Sequence, residues 1–376
     1  MRGAERTLAA AARAMGGTLV PAEAGPRGWF GAAIDSRKVA GGELFFALAG
    51  SRTDGHRFVP AALSAGAAAA VVSEPDLQPS PGQALIRVAD PLAALHALTL
   101  SVRAAMPGRI VGLTGSAGKT TTKELLARML ARRFQVAKSP GNLNNLLGFP
   151  LALLGIDPNV EWMVAEMGMS TPGELAKISR LVQPDAALLL NVRPVHLENF
   201  GSLAAIADEK IQILAGLREG GVFVANADDP EVCRVAGRHP GRIVWFGYGR
   251  EAHVRASQIE PLPGDGGGHR FELTADSGSG ATERAIVELP LLGRHNVDNA
   301  LAAAAAAWAL GVPIAEIPAA LRGAEPAPGR GVIHRRADGA KIVRTWPGWH
   351  DDQISALDDV CDCLGNRRRR IDDNQL

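Results

Sequence analysis

Cysteine is scarce. The 376-residue chain has three, Cys233, Cys361 and Cys363, in no metal-ligand spacing. That excludes a disulfide framework and a thiolate metal centre, and it predicts a reducing compartment. Charge of one sign is lacking too: 40 Lys and Arg stand against 39 Asp and Glu, a net charge of +1. So small an excess excludes broad electrostatic capture of nucleic acid or of an anionic membrane. No apolar run reaches the roughly 18 residues that a membrane-spanning helix needs. The N-terminus carries Arg2, Arg6 and Arg13 inside an alanine-rich helical pattern, not a basic end followed by an apolar core. The expectation is a cytoplasmic protein without a signal peptide.

What is present is a globular composition, 47% apolar and 21% charged, in a length that suits two or three domains. One stretch organises the rest: Arg109–Phe134, RIVGLTGSAGKTTTKELLARMLARRF. Arg109–Leu113 is a short β-branched run that predicts a buried strand. A turn of glycine and small residues follows, Thr114-Gly115-Ser116-Ala117-Gly118. Then come Lys119-Thr120-Thr121-Thr122 and apolar residues at Leu125, Leu126, Met129 and Leu130, at helical spacing. Strand, glycine turn, Lys-Thr and helix make a phosphate-binding loop. Its backbone N–H groups and the positive helix end face an anion, Lys119 neutralises terminal phosphates, and a Thr hydroxyl holds Mg²⁺. The glycines are Gly112, Gly115 and Gly118, whereas the strict spacing asks for one at Leu113. The complete strand and helix context still makes this a nucleotide site.

The remaining pattern is α/β. A helix at Leu8–Met15, a strand at Glu43–Ala47, a helix near Phe58–Ala65 and a strand at Ala69–Ser73 predict a small N-terminal α/β domain, residues 1–106. Asp90-Pro91 starts a helix to about Ala105, and Met106-Pro107-Gly108 reads as a linker. A phosphate-loop mononucleotide-binding domain, residues 107–325, follows. Its candidate strands Gln135–Lys138, Trp162–Glu166, Ala186–Asn191, Val222–Asn226 and Ile243–Phe246 alternate with helices and predict a mainly parallel sheet. Val254–Ile259, Arg270–Thr274 and Ala285–Leu289 alternate between Gly- and Ser-rich turns and predict an antiparallel edge. Residues 326–376 form a linker, a hairpin over Ile333–Val343 and a compositionally aberrant end with Trp346, Trp349 and the run Arg367–Arg370, which reads as a solvated tail.

Ligands of such sheets collect at the carboxyl ends of strands. The residues there are Glu166, which is followed by the helix start Thr171-Pro172-Gly173-Glu174; Asn191, with a loop to His196 and Glu198; and Asn226-Ala227-Asp228-Asp229. Glu166 suits a Mg²⁺ ligand, and the plain alternative is a solvated loop charge. Two asparagines, Asn296 and Asn299, share the first turn of an alanine-rich helix with His295; capping accounts for one of them. The clusters Asp35-Ser36-Arg37 and Ser51–His56 are ordinary turn formers, or else Ser36, Arg37 and His56 line the groove of an anionic ligand.

With these motifs laid out, the chain resembles the Mur ligases of peptidoglycan synthesis, within them the MurF group. The segments that carry the resemblance lie between about residues 30 and 335: IDSRKVAGGELFFALAGSRTDGHRF, TGSAGKTTTKELL, SPGNLNNLLGFPLALL, AEMGMSTPGEL, NVRPVHLENFGSLAAIADEK, LLGRHNVDNALAAAAA and PAPGR. The resemblance implies an ATP- and Mg²⁺-dependent amide ligase acting on a UDP-N-acetylmuramoyl-tripeptide and D-alanyl-D-alanine, monomeric, with no nucleic-acid or membrane partner. It implies nucleotide contacts at Thr114, Gly115, Ser116, Ala117, Gly118, Lys119, Thr120, Thr121, His295, Asn299 and Arg330. Thr120 and Glu166 would hold one Mg²⁺, and His196 and Lys210 a second. Lys119, His196 and Lys210 would be catalytic, with Lys210 carbamylated, because a free ammonium cannot bind a cation. Ser36, Arg37, His56, Asn144, Asn145 and Ser170 would face the UDP-precursor.

The chain also departs from the family. Arg193 and Asn199 stand where glycines are usual, and after Ile342-Val343 a sequence like DDSYNANP is replaced by Arg344-Thr345-Trp346-Pro347-Gly348-Trp349. The expectation is that the family's C-terminal Rossmann-like domain is absent, through truncation or a frameshift. Two other readings stay open: a non-catalytic remnant that binds nucleotide or UDP-precursor, and a sister ligase of the MurE or folylpolyglutamate-synthase type.

Overall fold

The computed structural model describes residues 6–50, 53–141, 143–263, 267–276, 282–326, 332–335 and 341–344. Arg330 and everything after Arg344, including the tryptophans, the last two cysteines and the arginine run, lie outside the described residues. The chain divides into two compact units, Met1–Gly112 with Ser139–Asp185 and Gln212–Arg218, and Leu113–Lys138 with Ala186–Ile211 and Glu219–Leu376. Among the described residues, no helix is long and apolar enough to cross a membrane.

The first unit holds a five-stranded sheet in the order Thr18–Val20, Leu85–Arg87, Ala69–Val72, Leu44–Phe46, Ala32–Ala33. All neighbours are parallel except the first pair. Its inner strands read as unbroken apolar runs because both faces are covered. Leu44, Phe46, Ala69, Val71 and Ile86 pack on one side with Leu8, Leu95 and Leu98 of the helices Leu8–Ala14 and Pro91–Ala105. Phe45, Ala70, Val72 and Leu85 pack on the other with Val59, Ala62 and Leu63 of the helix Val59–Ser64. The alternation is the period of two that a strand imposes.

The second unit builds its sheet from Ala186–Leu189, Val222–Asn226, Ile243–Gly247, Val254–Pro261, His269–Asp276 and Thr282–Leu289, in that spatial order. The pairs are parallel up to Val254, which joins Phe246 in parallel, and antiparallel beyond it. The predicted parallel sheet with an antiparallel edge is thus observed. So is the terminal hairpin, Val332–Arg335 against Lys341–Arg344.

Two sequence expectations need correction. The helix after Glu166 begins at Glu174, with Gly173 at its N-cap, instead of being capped by Thr171. Glu174 reaches back to accept from the Ser170 and Thr171 N–H groups (2.8 and 3.3 Å), so the chain ahead of the helix is held by the glutamate half of a capping box alone. Neither Asn296 nor Asn299 caps the alanine-rich helix, which starts at His295 without a side-chain cap.

The strand that enters the phosphate loop is anchored by a buried arginine. Arg103, with 0% exposure, donates to the carbonyls of Val182, Gly108 and Gln183 (3.1, 3.2 and 2.8 Å) and to Asp185 Oδ2 (2.6 Å). Asp185 Oδ2 also accepts from Ile110 N at 2.8 Å, so one carboxylate ties the helix end to the start of the strand. Removing the guanidinium strands three carbonyls and a carboxylate. Arg103→Ala should therefore lower unfolding free energy by about 3 kcal/mol, read as a lower midpoint in urea denaturation.

Candidate nucleotide site

The strand Arg109–Thr114, whose last two residues open the second unit, hands over to the helix Lys119–Leu130 through Gly115–Gly118. Gly118 is the N-cap, left-handed at φ 83°, and offers no side-chain cap. A side chain there would be strained, and its Cβ would lie 2.1 Å from Asn299 Oδ1. Only glycine lets the chain turn this tightly while Asn299 sits on the turn. A Cβ at Gly115 would likewise meet Leu190 Cβ at 2.8 Å. With no side-chain cap, the positive end of a three-turn helix is presented to whatever lies beyond Gly118.

The side chains around this turn divide by role. Lys119 Nζ donates to Gly115 O at 2.8 Å, spanning the loop from end to end. Thr114 belongs to the sheet: it is 1% exposed and its carbonyl accepts from Leu190 N at 3.0 Å. Ser116 N and Ala117 N donate to Asn191 O and Oδ1 at 3.1 and 3.0 Å. These bonds hold the backbone of Ser116 and Ala117 against Asn191. Thr120 and Thr121 are half-buried in the first turn. Thr122 is buried and its hydroxyl lies 3.4 Å from Asn299 Oδ1.

Asn299, 7% exposed, donates to Asn296 Oδ1 at 3.0 Å, and Asn296 donates to Leu292 O at 2.7 Å. The two asparagines thus form a relay that holds Asn299 against Gly118. His295 is exposed at the head of the same helix. Lys210 ends the helix Leu203–Lys210 and is 2% exposed. Burial pulls its ammonium down to about 7, the positive charge of Lys119 acts the same way, and Glu209 opposes them. His196 is exposed, left-handed at φ 56°, and lies 3.8 Å from the Glu198 carboxylate. Histidine is among the few side chains that tolerate this backbone, at a cost of about 1 kcal/mol or more.

One cluster escaped the sequence reading. Tyr248, the only tyrosine of the chain, follows the strand Ile243–Gly247, and its hydroxyl donates to Asp298. The Arg294 guanidinium lies 5.1 Å over the Tyr248 ring, and the Tyr248 backbone N–H donates to Asp228 Oδ2 at 2.8 Å. Burial and the Asp298 charge push the phenol above its ordinary range, so it remains a donor. The available signal was a lone tyrosine at the carboxyl end of a parallel strand.

In the first unit, Glu166 closes the strand Trp162–Glu166 at 4% exposure. Its N–H donates to Ser139 Oγ at 3.1 Å, and Asn144 Nδ2 donates to its Oε1 at 3.1 Å. Asn144 thus orients a carboxylate. Asn145 is spent on its own backbone, its Oδ1 accepting from Leu147 N and Gly148 N (3.1 and 2.8 Å). His56 is 8% exposed, with Nδ1 at 2.6 Å from Asp54 and Nε2 accepting from Ser73 N at 3.0 Å. Because a backbone N–H can only donate, Nε2 accepts and Nδ1 carries the proton toward Asp54. The same tautomer leaves no ring lone pair for a metal in the nearby group Asp54, His56 and Glu74. Arg37 is exposed and paired with Asp35 through two bonds of 2.9 and 2.8 Å, which hold the Asp35 carboxyl down at about 2. Ser36 is half-buried beside it, and Ser170 is exposed.

A parallel α/β sheet, a glycine turn with Lys-Thr and an uncapped helix define a phosphate-loop nucleotide-binding protein. Family models narrow this: the Mur ligase middle domain matches residues 113–307, and the Mur ligase family catalytic domain matches residues 31–110. The chain belongs to the Mur ligase family. It is 34% identical over 311 residues to the UDP-N-acetylmuramoyl-tripeptide–D-alanyl-D-alanine ligase of Bacillus subtilis, covering 82% of this chain and 65% of that one. To the ligase of the same name from Escherichia coli it is 38% identical over 298 residues, covering 79% and 64%. The chain therefore spans just under two thirds of the length of these relatives. The crystal structure of MurF ligase from Thermotoga maritima in complex with ADP superimposes with a TM-score of 0.75 at 28% identity, covering 89% of this chain and 74% of that one. The sequence resemblance, to the family and to its MurF group, is borne out.

Gly118→Ala adds a side chain to a left-handed residue and drives it into Asn299. The expected result is loss of binding of a fluorescent ATP analogue by at least about tenfold, together with a lower melting temperature.

Proposed function

We propose that the chain is an ATP-dependent amide ligase that joins D-alanyl-D-alanine to a UDP-N-acetylmuramoyl-tripeptide in the cytoplasm. The observation that carries the reading is the pair Lys119 and Lys210: one lysine spans a phosphate loop, and the other is buried close enough to feel its charge. The names of the relatives and the ADP bound by the Thermotoga protein support it. On this reading residues 1–106 bind the UDP-precursor, residues 107–325 bind ATP, and residues 326–376 are a linker and remainder.

The chemistry is in-line phosphoryl transfer followed by acyl transfer. The terminal carboxylate oxygen of the tripeptide attacks the γ-phosphorus and ADP leaves, giving an acyl phosphate. The amine of D-alanyl-D-alanine then attacks the acyl carbon, and phosphate departs as the amide forms. Such a route leaves the protein mainly the tasks of positioning and charge neutralisation. Helix N–H groups from Gly118 onward receive the phosphates, Lys119 exchanges Gly115 O for phosphate oxygen, and Asn299 and His295 face the nucleoside. Arg330 acts near the nucleotide; Ser36, Arg37, Asn144 and Ser170 act toward the precursor.

In the second unit the Thr120 hydroxyl, His196 and, once carbamylated, Lys210 would be donors to Mg²⁺; in the first unit the Glu166 carboxylate, which Asn144 orients, has the oxygen chemistry that this hard cation prefers. Bound Mg²⁺ would neutralise charge that develops on the phosphoryl oxygens. Lys210 is suited to carbamylation because only a neutral amine attacks CO₂, forming the N–C bond and releasing a proton. A lysine held near 7 is substantially neutral at cellular pH, where an ordinary one is not. The sign for stability follows: between about 7 and the ordinary lysine value the unfolded chain retains a proton that the folded chain has lost, so stability from this site rises with pH.

Lys119→Ala should abolish ATP hydrolysis, measured as phosphate release with the UDP-tripeptide and D-alanyl-D-alanine; unchanged release would move the nucleotide elsewhere. Incorporation of ¹³C-labelled CO₂ at fixed dissolved gas should rise as pH passes through about 7 and vanish in Lys210→Ala. The same variant should lose ligation and regain part of it with short carboxylates, which can take the carbamate's place.

A further inference from the structure

The apex of the phosphate loop is fastened to one other segment, and the fastening is chemically matched. Asn191 Oδ1 accepts from Ala117 N at 3.0 Å while its Nδ2 donates to Ala117 O at 3.2 Å. The same residue's carbonyl accepts from Ser116 N at 3.1 Å. Two positions on, Ser116 Oγ donates to Arg193 O at 3.1 Å and accepts from Arg193 N at 2.8 Å. A carboxamide alone among short side chains offers an acceptor and a donor side by side, so it can meet both backbone groups of Ala117. Aspartate lacks the donor, and serine lacks the reach.

The segment that receives the loop is held from its other side as well. Asn226 Nδ2 donates to Leu190 O at 2.9 Å, and Val192 N donates at 2.9 Å to Asp229, a carboxylate 4% exposed. From Asn191 the chain runs directly to His196, whose left-handed backbone accepts from Asn199 N and Phe200 N. Loop apex and Asn191 are therefore joined by hydrogen bonds, and the chain carries on from Asn191 to the His196 turn within a single unit.

We infer that Asn191 is a positioning residue that couples the phosphate loop to the His196 loop, so that nucleotide binding at the first orders the second. This rests on the nucleotide reading of the phosphate loop. The side chain matters because it alone meets both backbone groups of Ala117, whereas Ser116 Oγ grips the Arg193 backbone two positions further on.

Hydrogen exchange read by mass spectrometry tests this with adenylyl imidodiphosphate and Mg²⁺ at saturation. In the wild-type chain, amides of residues 114–121 and of residues 191–200 should both slow by about tenfold or more. In Asn191→Ala, residues 114–121 should still slow at saturating nucleotide while residues 191–200 stay within about twofold of their nucleotide-free rate. A merely structural role would raise exchange in both states without separating the two segments. Undiminished slowing at residues 191–200 in Asn191→Ala overturns the inference, as does a wild-type chain that slows only at residues 114–121. No slowing at residues 114–121 in the wild type overturns the nucleotide reading itself, and the inference with it. If Asn191→Ala does not fold, Asn191→Ser carries the test, since serine cannot reach both backbone groups of Ala117: reduced slowing at residues 191–200 supports the coupling, and full slowing overturns it.

Discussion

The backbone at Gly118 is the constraint on which the site depends. A left-handed residue there completes the turn from strand to helix and leaves the helix end without a side-chain cap. Asn299 occupies the space a Cβ would need, and its own position is set by the relay through Asn296 to Leu292. A helix end uncapped by its own sequence is a standing demand for negative charge. A negatively charged ligand beyond Gly118 would meet that demand.

Lys119 and Lys210 show the same economy in electrostatics. Two like charges near one another, one of them 2% exposed, oppose folding in isolation. Ligands that carry negative charge would offset that cost, as would chemistry that changes the sign of one of them. In the first unit, Glu166 is a buried carboxylate whose amide neighbour Asn144 fixes its orientation. Buried groups of this kind cost stability, and the buried Arg103 node, which joins helix end, linker and strand start, is among the contacts that offset it.

Much of this was legible in the sequence because it is local. The phosphate loop is contiguous, and strands with both faces covered, such as Leu44–Phe46 and Ala186–Leu189, read as apolar runs. Strands of two or three residues, Ala32–Ala33 and Thr18–Val20, carry too few positions to show a period. The contacts that shape the site were not legible because they span long separations: 74 residues from Ala117 to Asn191, 50 from Tyr248 to Asp298 and 82 from Arg103 to Asp185. Polar side chains near turns are harder to read from sequence, because the same groups serve a ligand or the backbone: Asn145 and His56 both accept from backbone N–H groups in the structure.

The central claim is that a nucleoside triphosphate lies across the turn at Gly118. A crystal of this chain soaked in adenylyl imidodiphosphate and magnesium tests it most directly. The account predicts density for the phosphates against the N–H groups that follow Gly118, with Lys119 moved from Gly115 O onto phosphate oxygen. A soaked crystal in which Lys119 still bonds Gly115 O and the nucleotide lies elsewhere, or does not bind, would contradict it.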